Sequence, residues 1–178
     1  MIKTERLILR QWKEADHSSF IKMGLDPDVM RYFHEILTPQ KSIEMAKKIY
    51  ELIEQNGWGF WAVELRDTGE FIGFIGLHNQ PELFQFSPCV EIGWRLSKKY
   101  WGMGYATEGA RAALIYAFEV LNLNKVVAFT ARINKPSEDV MKRLGMNKSR
   151  EFKHPELPKG HILENHVLYE INKNNFIK

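Results

Sequence analysis

Apolar residues recur along the chain with two periods, and these periods divide it into candidate strands and helices. In residues 89–96 apolar side chains alternate with Glu91, Gly93 and Arg95, which is typical of a strand with two different faces. In residues 107–121 they recur every three or four positions, which is typical of a helix that packs on one side. In chain order the pattern predicts a strand, helices, three strands, a helix, a strand, a helix and two strands, which is an α/β arrangement with helices on both faces of a sheet.

The predicted strands differ in how much of their surface is apolar. Residues 58–65 and 70–78 are apolar almost throughout, and the turn at residues 67–69 between them predicts a hairpin of central strands covered on both faces. The full set of predicted strands is residues 6–12, 58–65, 70–78, 89–96, 125–133, 146–152 and 166–171.

Capping residues mark where most of the predicted helices begin or end. Thr38, which stands before a proline, opens a helix that stops at Gly57, because Thr is a good N-cap and Pro is tolerated in the first turn. Asp16 is predicted as the N-cap of a short helix, Asp26 opens another, and Gly145 ends the last one. The predicted helices are residues 17–21, 27–33, 39–56, 107–121 and 136–144.

The composition narrows the class of function. The 25 Lys and Arg residues exceed the 22 Asp and Glu residues by a net charge of +3, too small and too scattered for nucleic acid, although it suits a small anionic ligand. The single cysteine, Cys89, forms no internal disulfide and indicates a reducing compartment. No export signal, membrane span, repeat or linker is apparent, so one cytoplasmic domain over residues 1–178 is expected.

Two glycines, Gly102 and Gly104, lie between the strand at residues 89–96 and the helix at residues 107–121. Such a turn presents unpaired backbone N–H groups at the positive end of a helix dipole, where phosphate oxygens bind. The alternative is that the glycines only let the chain turn sharply. The stretch lacks the Lys-Ser or Lys-Thr pair of a P-loop and the third glycine of a dinucleotide-binding turn.

The glycine turn is part of a longer segment that resembles the GNAT superfamily of N-acetyltransferases. The family's pyrophosphate-binding pattern, Gln or Arg, two residues, Gly, one residue, then Gly or Ala, falls on residues 101–106, with Trp101 in place of the Gln or Arg. The chain is similar to the RimJ/RimL branch, which includes enzymes that acetylate protein N-terminal amines, through EIGWRLSKKYWGMGYATEGARAAL and FTARINKPSEDVMKRLGM. The resemblance extends from TERLILRQW near the start to HVLYEI near the end.

The resemblance implies a three-layer GNAT-like fold with a mixed, mostly antiparallel sheet. Two parallel strands, residues 89–96 and 125–133, are expected to splay apart and form the cleft for acetyl-CoA, whose amides would bond the unpaired strand edges. Asn134 would reach the pantetheine arm, or cap the following helix, or do both. The residues expected to contact acetyl-CoA are Trp94, Arg95, Leu96, Trp101, Gly102, Met103, Gly104, Tyr105, Ala106, Thr107 and Asn134.

The resemblance also implies the catalytic groups. Related enzymes often carry a glutamate at the position of Glu91, where it takes the proton of the amine directly or through water; a purely structural strand glutamate is the alternative. Many members have a Tyr seven residues after Asn134 that protonates the leaving thiolate, and here that position is Met141, which cannot donate a proton. Ser137 is the RimL-like alternative, in which a hydroxyl stabilises the sulfur.

Two segments are predicted to border the acceptor pocket, namely residues 26–33 and the loop at residues 152–161. The loop and the strand after it carry His154, His161 and His166, whose spacing matches no metal-ligand pattern, so no metal is expected.

These features together predict an acetyl-CoA-dependent N-acetyltransferase, a monomer or a homodimer, that acts on a primary amine. The acceptor is a protein N-terminal α-amine in the RimJ/RimL interpretation. The alternatives are a small amine, such as a polyamine or an aminoglycoside, and a non-catalytic regulator that binds acetyl-CoA.

Overall fold

The computed structural model describes residues 1–177 and contains one eight-stranded sheet in the order β1-β2-β3-β4-β5-β6-β8-β7. Every neighbouring pair is antiparallel except β5 and β6, which run parallel. The mixed, mostly antiparallel sheet predicted from the sequence is therefore confirmed. The strands are β1 (Ile2–Lys3), β2 (Leu7–Arg10), β3 (Phe60–Leu65), β4 (Phe71–Gln80), β5 (Cys89–Leu96), β6 (Lys125–Ala131), β7 (Asn147–Lys153) and β8 (Asn165–Asn172).

Four α-helices cover the two faces of the sheet. Helices α1 and α2 lie on one face, and α3 and α4 lie on the other, where the guanidinium of Arg111 on α3 donates to the carbonyl of Arg143 on α4 at 3.1 Å. Within residues 1–177 no helix combines the length and the apolar character that crossing a membrane requires. The helices are α1 (His17–Leu25), α2 (Pro39–Asn56), α3 (Tyr105–Glu119) and α4 (Lys135–Arg143).

The parallel strands β5 and β6 meet at one register pair, Glu91 opposite Val127. Beyond it, β5 continues only with β4 on its far edge, and β6 continues only with β8. The edges that face each other after that pair consequently carry backbone N–H and C=O groups outside any ladder. This is the splay predicted for residues 89–96 and 125–133.

Side chains on the two faces of the sheet pack differently. On the α1–α2 face the rings of Trp12, Phe20 and Phe74 contact one another, with Trp12 and Phe20 at 4.9 Å and 74°. On the opposite face α3 lies close to the strands because Gly109 has no Cβ; one placed there would fall on Ile75 Cδ1. Phe74 and Ile75 are consecutive on β4, so they point to opposite faces and define which side of the sheet each residue occupies.

The predicted helix at residues 27–33 is wrong. The segment forms consecutive turns, in which Met30 N–H donates to the carbonyl of Asp26 but Phe33 N–H donates to that of Met30, so no continuous i→i−4 ladder develops. The Asp26 carboxylate accepts from Asp28 N–H at 2.9 Å and closes a local turn, the alternative that Asp offers the backbone.

Asp16 is the N-cap residue of α1, as predicted, but its side chain makes no capping bond there. Helix α1 does begin after it, yet its carboxylate accepts two bonds of 2.8 Å from the Arg10 guanidinium and one from Lys13 N–H. A bidentate bond to a buried arginine replaces the capping bond. The first predicted strand is also shorter, residues 7–10 instead of 6–12, and the two-residue strand β1 was not predicted.

Substitution of Gly76 tests the tight pairing of β3 with β4. A Cβ at Gly76 would overlap the backbone carbonyl of Gly59, which cannot rotate away, so Gly76→Ala is expected to lower the free energy of unfolding by about 3 kcal/mol or more. Gly69→Ala is the control, because open space surrounds that glycine and only its positive φ of 71° opposes a side chain, at a cost of about 1 kcal/mol. Urea unfolding measures both; equal losses would contradict the steric argument.

Candidate active site

A cavity of about 1450 Å³ opens where β5 and β6 splay apart. The lining includes residues 91–96 of β5, the turn that follows and the start of α4. It also includes residues 28–29 and 31–34 and the loop residues His154, Glu156 and Leu157. Both segments predicted to border the acceptor pocket therefore line this cavity, although residues 28–34 do so as turns.

The glycine turn has the geometry that the sequence pattern predicts. Gly102 and Gly104 adopt φ values of 74° and 82°, a region that L side chains disfavour, and Gly104 is the residue that precedes α3. Trp101 holds the turn to the end of β5, since its indole N–H donates to the carbonyl of Leu96 at 2.9 Å. The N–H groups of the first turn of α3 lie at the positive end of the helix dipole beside the cavity.

The N-terminal strand region fixes this turn from outside the cavity. Glu108 in the first turn of α3 accepts from the Thr4 hydroxyl at 2.6 Å, from Arg6 N–H at 2.8 Å and from Arg6 Nε at 2.7 Å. The same Arg6 side chain donates from Nη1 to the Met103 carbonyl and lies over the Tyr105 ring. The position of the turn is therefore set by residues about 100 positions away in the chain.

The structure brings together almost every residue proposed for the site. Only Met103 among them lies outside the lining of the cavity; its side chain is half exposed. The proposed residues that do line the cavity are Glu91, Trp94, Arg95, Leu96, Trp101, Gly102, Gly104, Tyr105, Ala106, Thr107, Asn134 and Ser137.

Glu91 is a carboxyl group without a charged partner among residues 1–177. It stands on β5 at the one pair that joins β5 to β6, and Gln80 Nε2 donates to its Oε2 at 3.2 Å. Burial raises the pKa of Glu91 to about 7, and the Gln80 bond opposes this only in part. The side chain is therefore able to exchange a proton near neutral pH.

Asn134 and Ser137 form a small network at the start of α4. The Asn134 amide nitrogen donates to Thr130 Oγ1 at 2.9 Å and to Ser137 Oγ at 3.1 Å, and its Oδ1 accepts from Ser137 N–H at 3.3 Å. The helix-capping role predicted for Asn134 is confirmed, and one lone pair of Oδ1 remains for another donor. Ser137 Oγ accepts from Asn134, which leaves its hydroxyl proton without an acceptor among the described residues.

Met141 lies one helical turn after Ser137 and is 2% exposed. Met141 lines the cavity and packs in the buried core. Its side chain makes apolar contacts and cannot donate the proton that a tyrosine hydroxyl at this position would donate.

The three C-terminal histidines do not converge. His154 and His166 face each other with ring centroids 4.9 Å apart, whereas His161 lies against His34 at 5.5 Å. Burial is the main cause that lowers the pKa of His166 to about 4, and the charge of neighbouring His154 lowers it further. Burial lowers the pKa of His154 as well. Among the described residues no three potential metal ligands form a group.

Two features of the cavity were not predicted from the sequence. One is the Gln80 side chain, which reaches Glu91 from the neighbouring strand β4. The other is the buried side chain of Arg95, a residue expected to contribute only its backbone. The sequence does contain a signal for Arg95, because Glu91 and Arg95 lie on the same face of a strand whose other face is apolar.

Comparisons with known proteins agree with this geometry. A family model described as an acetyltransferase (GNAT) domain matches residues 6–147. The chain is 32% identical over 174 residues to FsC-acetyl coenzyme A-N(2)-transacetylase of Aspergillus fumigatus, covering 92% of this chain and 72% of that protein.

Solved structures match along nearly the whole chain. A GNAT-family acetyltransferase from Bacillus anthracis superposes with a TM-score of 0.81 and 28% identity, covering 97% of this chain and 98% of the other. The fold, at 16% identity and a TM-score of 0.75 over 95% of each chain, is also that of RimL, a ribosomal alpha-N-protein acetyltransferase in complex with coenzyme A. The chain therefore belongs to the GNAT family of N-acetyltransferases.

Proposed function

We propose that the protein transfers the acetyl group of acetyl-CoA to a primary amine, with Glu91 as the general base. The observation that carries this proposal is a carboxyl of pKa about 7 in the cavity where the two parallel strands separate. A base whose pKa lies near the working pH is deprotonated often enough to act and basic enough to take a proton.

The residues of the cavity fit acetyl-CoA. On the edge of β5 that faces β6, the backbone groups of Trp94 and the N–H of Leu96 are offered to the pantetheine amides, as an added strand would use them. The Leu96 carbonyl instead accepts from Trp101, and Arg95 is paired with Phe74 of β4. The backbone N–H groups from Trp101 to Thr107, at the N-terminus of the 15-residue helix α3, suit the pyrophosphate. Asn134 keeps one acceptor lone pair for a pantetheine N–H. The name of the A. fumigatus relative includes acetyl coenzyme A, which supports the same donor.

The reaction begins when Glu91 accepts a proton of the ammonium form, directly or through water, and leaves a neutral amine. The amine nitrogen then attacks the thioester carbonyl carbon; the new C–N bond forms and the C–S bond breaks. Ser137 donates its free hydroxyl proton as a hydrogen bond to the departing sulfur, whose thiol has a pKa of ~8.5 and leaves readily. The second amine proton passes to the solvent or to the thiolate, so the products are an amide and free coenzyme A.

Neighbouring histidines are weaker candidates for the base. The pKa of His166 is lowered to about 4 and that of His154 is also lowered, so each takes a proton less readily than Glu91 at neutral pH. His78, which stands opposite Glu91 on β4, lies under the Phe60 ring, and its pKa is lowered by burial.

The acceptor is a primary amine of a protein N-terminus or of a small molecule. A lysine-like amine with a pKa of ~10.4 depends on a base more than an α-amine with a pKa of ~8, because far less of it is neutral at pH 7.

Gly104→Val tests the phosphate turn. The branched side chain would disfavour the positive φ of Gly104 and bring its Cβ to 3.4 Å from Nη2 of Arg6, the side chain that holds the turn, so acetyl-CoA affinity is expected to fall at least tenfold, about 1.4 kcal/mol. Gly57→Val is the control: that glycine has a similar φ of 77° with open space around it, and it lies outside the cavity lining. Calorimetry with acetyl-CoA measures both. An affinity unchanged in folded Gly104→Val would remove the turn from the binding site.

Glu91→Gln tests the base. Gln keeps the shape but accepts no proton, so turnover is expected to fall ~10²–10⁴-fold with acetyl-CoA affinity unchanged. The deficit is expected to shrink between pH 7 and pH 9, as more of the amine is neutral without help. Glu156→Gln, another carboxyl of the cavity lining, is the control and is expected to keep most of its turnover. Release of free coenzyme A measures the rates. A variant with wild-type turnover at every pH would exclude Glu91 as the base.

The same Glu91→Gln variant tests the raised pKa without any substrate. Because the folded pKa of Glu91 is about 7 against an ordinary 4.5, wild-type stability falls as the pH rises between these values and stays reduced above pH 7. Gln carries no such penalty, so the variant is expected to be more stable than wild type by about 3 kcal/mol at pH 8, and nearly equal to it at pH 4.5. Urea unfolding measures this, with exposed Glu51→Gln as the control for loss of one charge. A difference independent of pH would contradict the raised pKa.

A further inference from the structure

Arg95 is a buried cation in the wall of the cavity. The residue is 7% exposed and stands on the same face of β5 as Glu91, four positions further along the strand. Its guanidinium lies between two aromatic rings, 4.0 Å from the centroid of Phe33 and 5.2 Å from that of Phe74. The rings hold the group in one place and shield it from water, and the cavity reaches it.

The guanidinium lacks an anionic partner. Of its five N–H donors, Nε has no hydrogen-bond partner, and Nη1 meets only the sulfur of Met45, at 4.0 Å. Within residues 1–177 no carboxylate forms an ion pair with Arg95. Burial without a counter-charge lowers the pKa of Arg95 to about 10.

Arg10 shows how this chain satisfies an arginine at the same depth. It is 8% exposed, and it binds Asp16 through two bonds of 2.8 Å and Glu64 through one of 2.6 Å. These partners raise the pKa of Arg10, the reverse of the shift at Arg95. A buried charge normally has such partners, and Arg95 differs from Arg10 in having no anionic partner.

None of the described carboxylates that line the cavity forms an ion pair with Arg95. Asp28 pairs with Arg31 and Lys98, and Glu108 pairs with Arg6. The Glu91 carboxyl, the nearest on the same strand face, bonds to Gln80. No described carboxylate supplies an anion to Arg95, which leaves that place open to a group on a bound molecule.

We propose that Arg95 binds a carboxylate carried by the acceptor, so that the substrate is a small amine that also bears a carboxylate group. This rests on the proposed acetyl transfer and names its substrate class. Glu91 and Arg95 are separated by ~13 Å along the strand, their side chains lie on one face, and both line the cavity, so both groups border the space that an acceptor would occupy. A polyamine would instead bring a second positive charge towards a buried guanidinium, which is unfavourable.

The face that Arg95 occupies separates it from the glycine turn. Its ring partner Phe74 lies on the α1–α2 face of the sheet, whereas Ile75, the next residue, packs under Gly109 of α3 on the other face. The N-terminus of α3 carries the phosphate-binding turn of the proposed function. Arg95 is thus positioned for the acceptor and not for the phosphates of acetyl-CoA.

The experiment compares amines in matched pairs. Glycine, alanine, β-alanine, γ-aminobutyrate and glutamate are each assayed beside the amide that removes the carboxylate charge, and spermidine and an aminoglycoside are added as cationic acceptors. Release of free coenzyme A gives kcat/KM, expressed per neutral amine because amidation also changes the amine pKa. At least one carboxylate acceptor is expected to exceed its amide by tenfold or more, and to exceed both polycations.

Arg95→Met is the decisive variant, because Met suits the apolar contacts of Phe33, Phe74 and Met45. Its preference for carboxylate over amide is expected to fall to about one, through a higher KM and with acetyl-CoA affinity within twofold of wild type. Arg95→Lys keeps the charge and is expected to retain part of the preference. A merely structural arginine would change stability and leave the preference intact.

Each other result overturns a distinct claim. Amides or polycations acetylated as well as carboxylates by the wild type, or a preference unchanged in Arg95→Met, would overturn the carboxylate site and leave acetyl transfer standing. Lost acetyl-CoA affinity in Arg95→Met would assign the arginine to the phosphates instead. No transfer to any amine would overturn the proposed function itself. If Arg95→Met fails to fold, the wild-type preference and inhibition by succinate against succinamide decide the question.

Discussion

The site depends on one constraint of the backbone, that β5 and β6 share a single register pair and then separate. Each strand is held firmly on its other edge, β5 by β4 and β6 by β8, so the separation is imposed by the surrounding sheet and does not reflect weak strands. The opening exposes backbone groups on both edges, and it places Glu91 at the last point of contact. The glycine turn, the start of α4 and the turns at residues 31–34 all border this one gap.

The succession of strands and main helices along the chain was predictable because it follows from hydrophobic periodicity and strong caps. Thr38 caps α2 as expected, with Lys41 N–H donating to its hydroxyl at 3.2 Å, and Gly57 ends that helix in a left-handed conformation. The departures at Asp16 and Asp26 share one cause. The Asp16 carboxylate binds Arg10 and the Asp26 carboxylate closes a local turn. A capping residue in the sequence does not reveal that other groups compete for its side chain.

The parts of the site that are formed by backbone, namely the glycine turn and the splayed strands, were predictable. The positive φ values of Gly102 and Gly104 and the splay follow from glycine position and strand order, which the resemblance supplied. Side-chain chemistry was less accessible. The alternation of β5 placed Arg95 beside Glu91, but whether a charged side chain finds a partner depends on segments such as residues 28–34 and on Met45, whose approach no local pattern reveals.

The cavity is bordered both by a backbone edge, on β5, and by side chains from turns and a loop, and this difference affects which substitutions the site tolerates. An edge of N–H and C=O groups binds through atoms that every residue except proline carries, so the side chains along β5 are able to change while the edge persists. The turns and the loop of the lining add little to the sheet. Mutation in these segments is therefore able to change what the cavity admits without disturbing the hydrogen-bonding edge.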